Sequence, residues 1–89
     1  MYNFQIAETK EFGKNIKKLD SKIYTKIKTI VYPQLKKNPF YGTNIKKLKG
    51  EYEGIYRYRL GNYRLFYIVD NDKVIVVTTT LSHRQGVYL

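Results

Sequence analysis

The stretch from Ile55 to Tyr67 constrains the fold more than any other part of this 89-residue chain. It contains two runs of alternating side chains, Ile-Tyr-Arg-Tyr-Arg-Leu and Tyr-Arg-Leu-Phe-Tyr, joined by Gly61-Asn62. Alternating runs rich in aromatic residues around a two-residue Gly-Asn loop predict an antiparallel β-hairpin. The loop then sets the register of three opposing pairs: Leu60 with Tyr63, Arg59 with Arg64, and Arg57 with Phe66.

This register divides the hairpin into two chemically different faces. One face carries the apolar and tyrosine side chains: Tyr56, Tyr58, Leu60, Tyr63, Leu65, Tyr67 and Val69. The other carries Arg57, Arg59 and Arg64, with Phe66 and Ile68 beside them. Like charges opposite each other on one sheet face are destabilising unless an anion lies between them. We therefore interpret the second face as a phosphate-binding surface.

The first forty residues predict a strand and two helices. Tyr2 to Ala7 alternates as a strand does, and Thr9 can cap a helix whose apolar positions are Phe12, Ile16 and Leu19. Asp20-Ser21 separates this helix from a second, whose predicted buried stripe is Ile23, Ile27, Ile30 and Val31. Pro33 should kink the second helix or end it near Tyr32, with residues 34–37 as a distorted last turn.

The remainder predicts an irregular segment followed by strands. Residues 40–54 should be irregular, because Gly42, Gly50 and Gly54 interrupt a polar stretch. Strands are expected at 55–60, 63–69 and 73–81, the last two joined by an Asp70-Asn71-Asp72 turn. The chain should thus form one α+β domain over residues 1–89: an N-terminal strand, a helical hairpin and an antiparallel three-stranded meander, in two layers. The helical hairpin should cover the apolar face and leave the arginines open.

The distribution of charge indicates a polyanionic partner. The formal net charge is +10, and residues 1–50 hold 12 lysines against three carboxylates, a balance of +9. Residues 51–89 balance at +1 although they hold all four arginines. Arginine is a planar fork suited to bidentate phosphate contacts, whereas lysine is a flexible point charge. Lys46, Lys47 and Lys49 are expected to contact RNA phosphates without sequence preference.

Several classes of protein are disfavoured by composition. The chain has no cysteine and one histidine, which argues against disulfides and metal centres. It has neither an apolar run of membrane-spanning length nor a signal-peptide pattern at its start. We therefore expect a cytoplasmic protein with no metal, no cofactor and no membrane contact.

Five short motifs, in order along the chain, resemble the RelE/ParE superfamily of type II toxins. They are Leu35-Lys-Lys-Asn-Pro-Phe40, Leu48-Lys-Gly50, Tyr56-Arg-Tyr-Arg59, Gly61-Asn-Tyr-Arg-Leu-Phe-Tyr67, and Leu81-Ser-His-Arg84 with Val87-Tyr88. The last is similar to the C-terminal motif of the RelE branch. The resemblance implies a fold similar to small microbial ribonucleases and a metal-independent endoribonuclease that cleaves messenger RNA in the ribosomal A site.

The resemblance also implies roles for single residues in attack of a 2′-hydroxyl on the adjacent phosphate. Arg64 matches the arginine of a Gly-x-Tyr-Arg motif and would stabilise charge on that phosphate, helped by Arg57, Arg59 and Arg84. Tyr88 or His83 would exchange the protons. Some relatives carry lysine in the strand of Arg57 and Arg59. Because arginine does not readily lose its proton, the general base stays open.

Simpler interpretations of the same residues remain open. The arginines could form a solvated sheet face, and Phe66 could either pack against their stems or stack with a base. Tyr88 and His83 could be structural. Tyr24, Tyr32, Tyr41 and Tyr52 are assigned only to the core or an interface. At the level of function, the alternatives are a ParE-like inhibitor of DNA gyrase without catalysis, and a non-catalytic RNA-binding module.

The expected partners follow from the same resemblance and charge. They are the ribosome with its messenger RNA and a cognate RelB-like antitoxin, with a toxin–antitoxin hetero-oligomer on operator DNA as a further expectation. A mostly acidic antitoxin segment should fold onto residues 10–36 or onto the sheet edges.

Overall fold

The computed structural model describes residues 3–19 and 21–83. Five strands form one sheet in the order β1-β5-β4-β3-β2, and helices cover one face. The strands are β1 (Gln5–Glu8), β2 (Ile45–Lys47), β3 (Tyr56–Leu60), β4 (Tyr63–Asp70) and β5 (Ile75–His83). The pairs β2–β3, β3–β4 and β4–β5 are antiparallel, whereas β1 pairs in parallel with β5. The predicted α+β class and element order are confirmed; the expectations for Tyr2, Asp20, Arg84 and Tyr88 lie outside the described residues.

The first helix begins where the sequence predicts. Helix α1 runs from Lys10 to Lys18, and the Thr9 hydroxyl accepts a hydrogen bond from the Phe12 backbone N–H at 3.1 Å. This bond satisfies one of the N–H groups that the first turn of a helix leaves unpaired. Phe12 is fully buried, and Ile16 and Leu19 pack against the core.

The second helical stretch differs from the prediction. It continues past Pro33 in three segments: α2 (Ser21–Lys26), a π-helical turn (Ile27–Val31) and α3 (Tyr32–Lys37). The Tyr32 N–H donates to the Ile27 carbonyl five residues back. The π-helical turn ends at Val31, two residues before Pro33, in the region where a proline ring disrupts regular helical hydrogen bonds. The wider turn rotates Ile30 outward, so Ile30 is 51% exposed and the predicted stripe is wrong at this position.

The segment 40–54 is less irregular than predicted. Ile45–Lys47 forms the edge strand β2, which pairs with β3, and Gly50–Tyr52 forms a short 3₁₀ helix. The antiparallel part of the sheet therefore has four strands rather than three. The third residue of this strand, Lys47, opposes Tyr56, and Lys46 opposes Arg57.

The central hairpin has the predicted register in full. Leu60 opposes Tyr63, Arg59 opposes Arg64, and Arg57 opposes Phe66. Gly61 has a φ of 58°, a conformation that glycine adopts without strain and that the first loop residue of a type I′ or II′ hairpin requires.

The core lies between the helices and the apolar face of the sheet, as predicted. From the sheet it takes Tyr58, Leu65, Tyr67, Val76 and Leu81; from the helices it takes Phe12, Ile23, Ile27, Val31 and Leu35. Among the described residues, no helix is long and apolar enough to cross a membrane.

A β-bulge at Thr79 changes which face of the sheet the side chains at the end of β5 lie on. Tyr67 opposes Thr78 but Phe66 opposes Thr80, so Thr79 is the extra residue. Its hydroxyl donates to the Phe66 carbonyl at 3.0 Å, and its carbonyl accepts from the Thr9 hydroxyl at 2.7 Å. These two bonds fix the bulge to the start of α1.

Candidate nucleic-acid interface

Within residues 3–19 and 21–83, four cations share the sheet face that the helices leave uncovered. Arg57 and Arg59 lie on β3, Arg64 lies on β4, and the register adds Lys46 on β2. We call these four residues the arginine face. Lys46 directly opposes Arg57, and Arg59 directly opposes Arg64, so both cross-strand pairs bring like charges together. Such pairs destabilise a sheet unless an anion neutralises them.

The electrostatic environment of Arg57 shows how closely the cations approach. Burial lowers the pKa of its guanidinium below the ordinary value, and repulsion from Arg64 and then Arg59 lowers that pKa further. The Nε atom of Arg57 is buried and has no hydrogen-bond partner among the described residues. A buried donor without a partner loses its hydration without compensation. A phosphate oxygen would supply both the missing acceptor and the opposite charge.

On the helix-covered side of the sheet, hydrogen bonds from two tyrosine hydroxyls anchor the strands that carry the arginine face. Tyr58, between Arg57 and Arg59, donates to the side-chain oxygen of Gln34 at 2.8 Å. Tyr67 donates to the Pro39 carbonyl at 2.7 Å, and burial raises the pKa of this phenol above its ordinary value. Both phenols therefore tie the sheet to the end of the helical layer. The arginine stems rise from a fixed platform, which suits preorganised binding of a charged group.

Phe66 lies on the arginine face but is only 3% exposed. Its ring is therefore not available to stack with a base in this conformation. The burial agrees with the alternative that Phe66 packs under the arginines, opposite Arg57. Ile68, an apolar side chain on the same face, is 40% exposed.

His83 lies on the opposite face of the sheet from the arginines. It opposes Tyr63, which packs against the core, and its ring meets the Tyr63 ring edge-on at 5.1 Å between centroids. Ser82 is the residue that opposes Arg64. The register therefore places His83 away from Arg64, and its expected role in proton exchange stays a prediction. The bulge at Thr79 is the cause, because an unbulged strand would turn His83 toward the arginine face.

The three predicted lysines are all exposed but do not share one orientation. Lys46 belongs to the arginine face, whereas Lys47 opposes Tyr56 on the helix-covered side. Lys49 follows β2 and begins the turn that contains the 3₁₀ helix. The prediction missed that Lys46 pairs with Arg57, because a three-residue strand with two lysines has no clear alternation.

Metal ligands are not gathered at this face. The described residues contain no group of three or more His, Asp or Glu side chains placed to hold a metal ion. What the arrangement offers is positive charge and directed N–H donors.

Comparison with known proteins assigns the family. Residues 6–87 match the family model of the ParE toxin of type II toxin–antitoxin systems, parDE. The chain therefore belongs to the RelE/ParE superfamily of type II toxins.

Individual relatives agree with this assignment. Toxin RelE3 of Methanocaldococcus jannaschii is 35% identical over 86 residues, which are 94% of each chain. The toxin–antitoxin complex RelBE2 of Mycobacterium tuberculosis contains a chain with a TM-score of 0.82 and 26% identity, covering 92% of this chain and 99% of that one. A chain of the RelB–RelE complex of Methanococcus jannaschii has a TM-score of 0.72 and 31% identity, covering 90% and 92%.

Proposed function

We propose that this toxin is a metal-independent endoribonuclease that cleaves messenger RNA in the ribosomal A site. The observation that carries the proposal is the arginine face, where Arg57, Arg59 and Arg64 repel one another and the Nε of Arg57 lacks a partner among the described residues. This arrangement lowers the stability of the folded protein. A phosphate bound between the arginines would offset their repulsion, and more strongly as its negative charge increases during the reaction. RelE-named relatives support the same class of activity.

The proposed reaction is attack of a 2′-hydroxyl on the adjacent phosphate, with departure of the 5′-oxygen. Arg64 stabilises the added negative charge, with Arg57, Arg59 and Arg84 as further electrostatic groups. Tyr88 or His83 would exchange the protons, and we favour Tyr88 because His83 lies on the opposite face of the sheet from the arginines. Arginine stays protonated, so Arg57 and Arg59 act as charges and not as bases. The toxin offers few titratable groups for acid–base catalysis. Binding within ribosomal RNA would contribute by positioning the messenger RNA for the reaction.

The experiment that tests this proposal is primer extension on one messenger RNA with and without translating ribosomes. We expect new 5′ ends only when ribosomes occupy the message, spaced according to codons. Equal cleavage of the naked RNA would contradict the ribosome requirement. The absence of cleavage in both samples, at equal soluble protein, would contradict the nuclease itself.

The match to a ParE toxin model favours one competing function, inhibition of DNA gyrase. A supercoiling assay with purified gyrase separates the two. Inhibition of supercoiling without any RNA cleavage would replace the nuclease proposal with this one.

We further propose that an acidic, RelB-like antitoxin neutralises the toxin. The structures of the RelBE2 complex and of the Methanococcus jannaschii RelB–RelE complex contain a toxin together with its antitoxin. On this chain, the exposed Ile30 lies on the lysine-rich helical layer, where an acidic amphipathic segment would find both apolar contact and charge. Action in the cytoplasm and assembly of the pair on operator DNA belong to the same proposal.

A further inference from the structure

A cavity of about 260 Å³ opens at the outer edge of the sheet, beside β2. It is lined by Lys46, Lys47, Leu48, Lys49 and Tyr52. We call it the edge pocket. Three of its five residues are exposed lysines, and its single aromatic side chain is half-buried. The reaction proposed above gives Tyr52 no role.

Backbone hydrogen bonds fix the position of Tyr52. Its N–H donates to the Lys49 carbonyl at 3.4 Å, and its carbonyl accepts from the Ile55 N–H at 3.1 Å. The Leu48 N–H donates to the Ile55 carbonyl at 2.9 Å and closes the loop. Gly50 and Gly54 have φ values of 71° and 93°, so the chain turns sharply on both sides of the tyrosine. Among the described residues, the core cluster does not include Tyr52. A tyrosine held at a pocket by its backbone, rather than by core packing, is placed to contact a ligand.

We propose that the edge pocket binds one unpaired nucleotide of the RNA strand, with its base stacked on Tyr52 and its phosphates held by the three lysines. This inference rests on the proposed function and adds a position on the substrate. Aromatic faces bind bases of any sequence by stacking, and lysines bind phosphate as point charges. An acidic peptide would satisfy the lysines but would leave the aromatic ring without a flat partner.

The size and location of the pocket agree with a single base. Pockets for drug-sized ligands begin at roughly 300 Å³. At about 260 Å³ the edge pocket lies just below that size. It is continuous with the arginine face, because Lys46 lines the pocket and also opposes Arg57. From β4 to β2 the distance is two strand spacings, roughly 10 Å. One short strand can therefore lie across the arginines and place a base, a few nucleotides away, on Tyr52.

The test uses the full-length toxin and an eight-nucleotide RNA made uncleavable by 2′-deoxy sugars. The fluorescent base 2-aminopurine replaces each base in turn, since stacking quenches its emission. The variants are Tyr52→Leu, which removes the aromatic face, and Tyr52→Phe, which keeps it. Tyr41→Leu is the matched control, because Tyr41 is 79% exposed and does not line the pocket. Arg64→Ala reports separately on the arginine face.

We expect quenching at one position of the RNA in the wild-type protein and in Tyr52→Phe. Tyr52→Leu should abolish that quenching and weaken binding about tenfold, whereas Tyr41→Leu should change neither. The inference is overturned if no single position is quenched, or if Tyr52→Leu leaves quenching unchanged. If Arg64→Ala still weakens binding in that case, the arginine face keeps its proposed role and only the pocket fails. If Tyr52→Leu instead weakens antitoxin binding and spares RNA, the pocket belongs to the protein partner and the inference is also overturned.

Discussion

The three arginines of the central hairpin differ in their burial. We therefore expect them to contribute differently to binding a phosphate. Arg59 is exposed, Arg64 is half-buried, and the Nε atom of Arg57 is buried with no hydrogen-bond partner in the part of the chain that the structure describes. A half-buried charge interacts more strongly with a bound phosphate than an exposed one, because water screens it less. Arg64 and Arg57 are therefore the residues through which the site should act, with Arg59 adding to the field.

Arg64→Ala should abolish toxicity and leave the fold intact. Removing one preorganised donor from a developing negative charge costs about 10²–10³ in rate. Arg64 is outside the core cluster, so its truncation should leave the thermal midpoint almost unchanged. The measurements are cleavage rate in a translation extract and thermal unfolding of the purified variant. Lys17→Ala, at an exposed position in the last turn of α1, is the matched control. Growth arrest by the Arg64→Ala variant at equal soluble expression would remove Arg64 from the mechanism.

Arg57→Met should stabilise the protein while it lowers activity. The pKa of Arg57 is lowered by burial and by Arg64 and Arg59, so its charged form is less favourable in the folded than in the unfolded chain. The guanidinium stays charged at ordinary pH, and the cost would be relieved only as pH rose toward the lowered pKa. Cross-strand charge pairs are worth about 0.2–1 kcal/mol, and screening at this partly exposed site favours the low end.

Thermal unfolding at low and high salt measures this gain. At low salt the midpoint should rise by about 2–4 °C for about half a kcal/mol, and the rise should shrink at high salt. Lys73→Met, in the turn between β4 and β5, has the same charge change beside carboxylates and should give no rise. An unchanged or lower midpoint for Arg57→Met would show that the repulsion is relieved in some other way.

At the scale of elements, the strands that could be predicted are those specified by their own local sequence. Gly61-Asn62 and the alternation around it determine the hairpin register, because a two-residue loop leaves no freedom to slip. Strand β2 has only Ile45, Lys46 and Lys47, and it exists because β3 offers it an edge. Such a strand depends on a partner elsewhere in the chain, so its own residues do not indicate it.

The orientation of the β5 side chains beside the candidate site could not be predicted from local sequence either. Val76 and Thr78 face the core before the bulge, and Leu81 and His83 take the same side after it. The bulge reverses the alternation, which moves Leu81 into the core and His83 away from the arginines. The run of three threonines, residues 78–80, gives no sign of which one is extra. The arginine face was thus predictable from the hairpin, whereas the neighbours that adjoin it were not.

Two glycines provide an opposing pair of predictions at this scale. Gly61→Ala should destabilise the hairpin by about 1–2 kcal/mol, since a side chain at positive φ is strained, and Gly61 has a φ of 58°. Gly13→Ala should stabilise α1 by roughly 0.8–1 kcal/mol. In both cases an added Cβ meets no atom within 4 Å, so backbone conformation alone distinguishes the two sites. Chemical denaturation of both variants measures the difference. Equal shifts in the same direction would mean that the loop does not hold Gly61 at positive φ.

At the scale of the whole molecule, charge is divided between the two layers. The lysines of α1 and α2 lie in the helical layer, and the arginine face lies on the other side of the sheet. The molecule measures 33 × 30 × 26 Å, whereas salt at physiological strength screens charges beyond about 8 Å. If the proposed function holds, we expect the helical lysines to act on RNA through the collective field around the molecule and not through the reacting phosphate. The two sets of cations should be separable by experiment.

Replacement of Lys10, Lys14 and Lys17 by glutamine in one triple variant should lower the rate of association with the ribosome. It should leave the rate of RNA cleavage unchanged. All three are exposed in α1, and glutamine is a comparable helix former, so the fold should be retained. Fields of this kind raise association rates by about tenfold or more at low salt and fade as salt rises. We expect slower association at low salt, convergence with wild type at high salt, and the same maximal cleavage rate once bound. Stopped-flow binding and single-turnover cleavage measure the two steps separately. The Arg64→Ala variant should give the reverse pattern. A loss of maximal cleavage rate in the triple variant would mean that α1 contacts the ribosome directly where the cut is made.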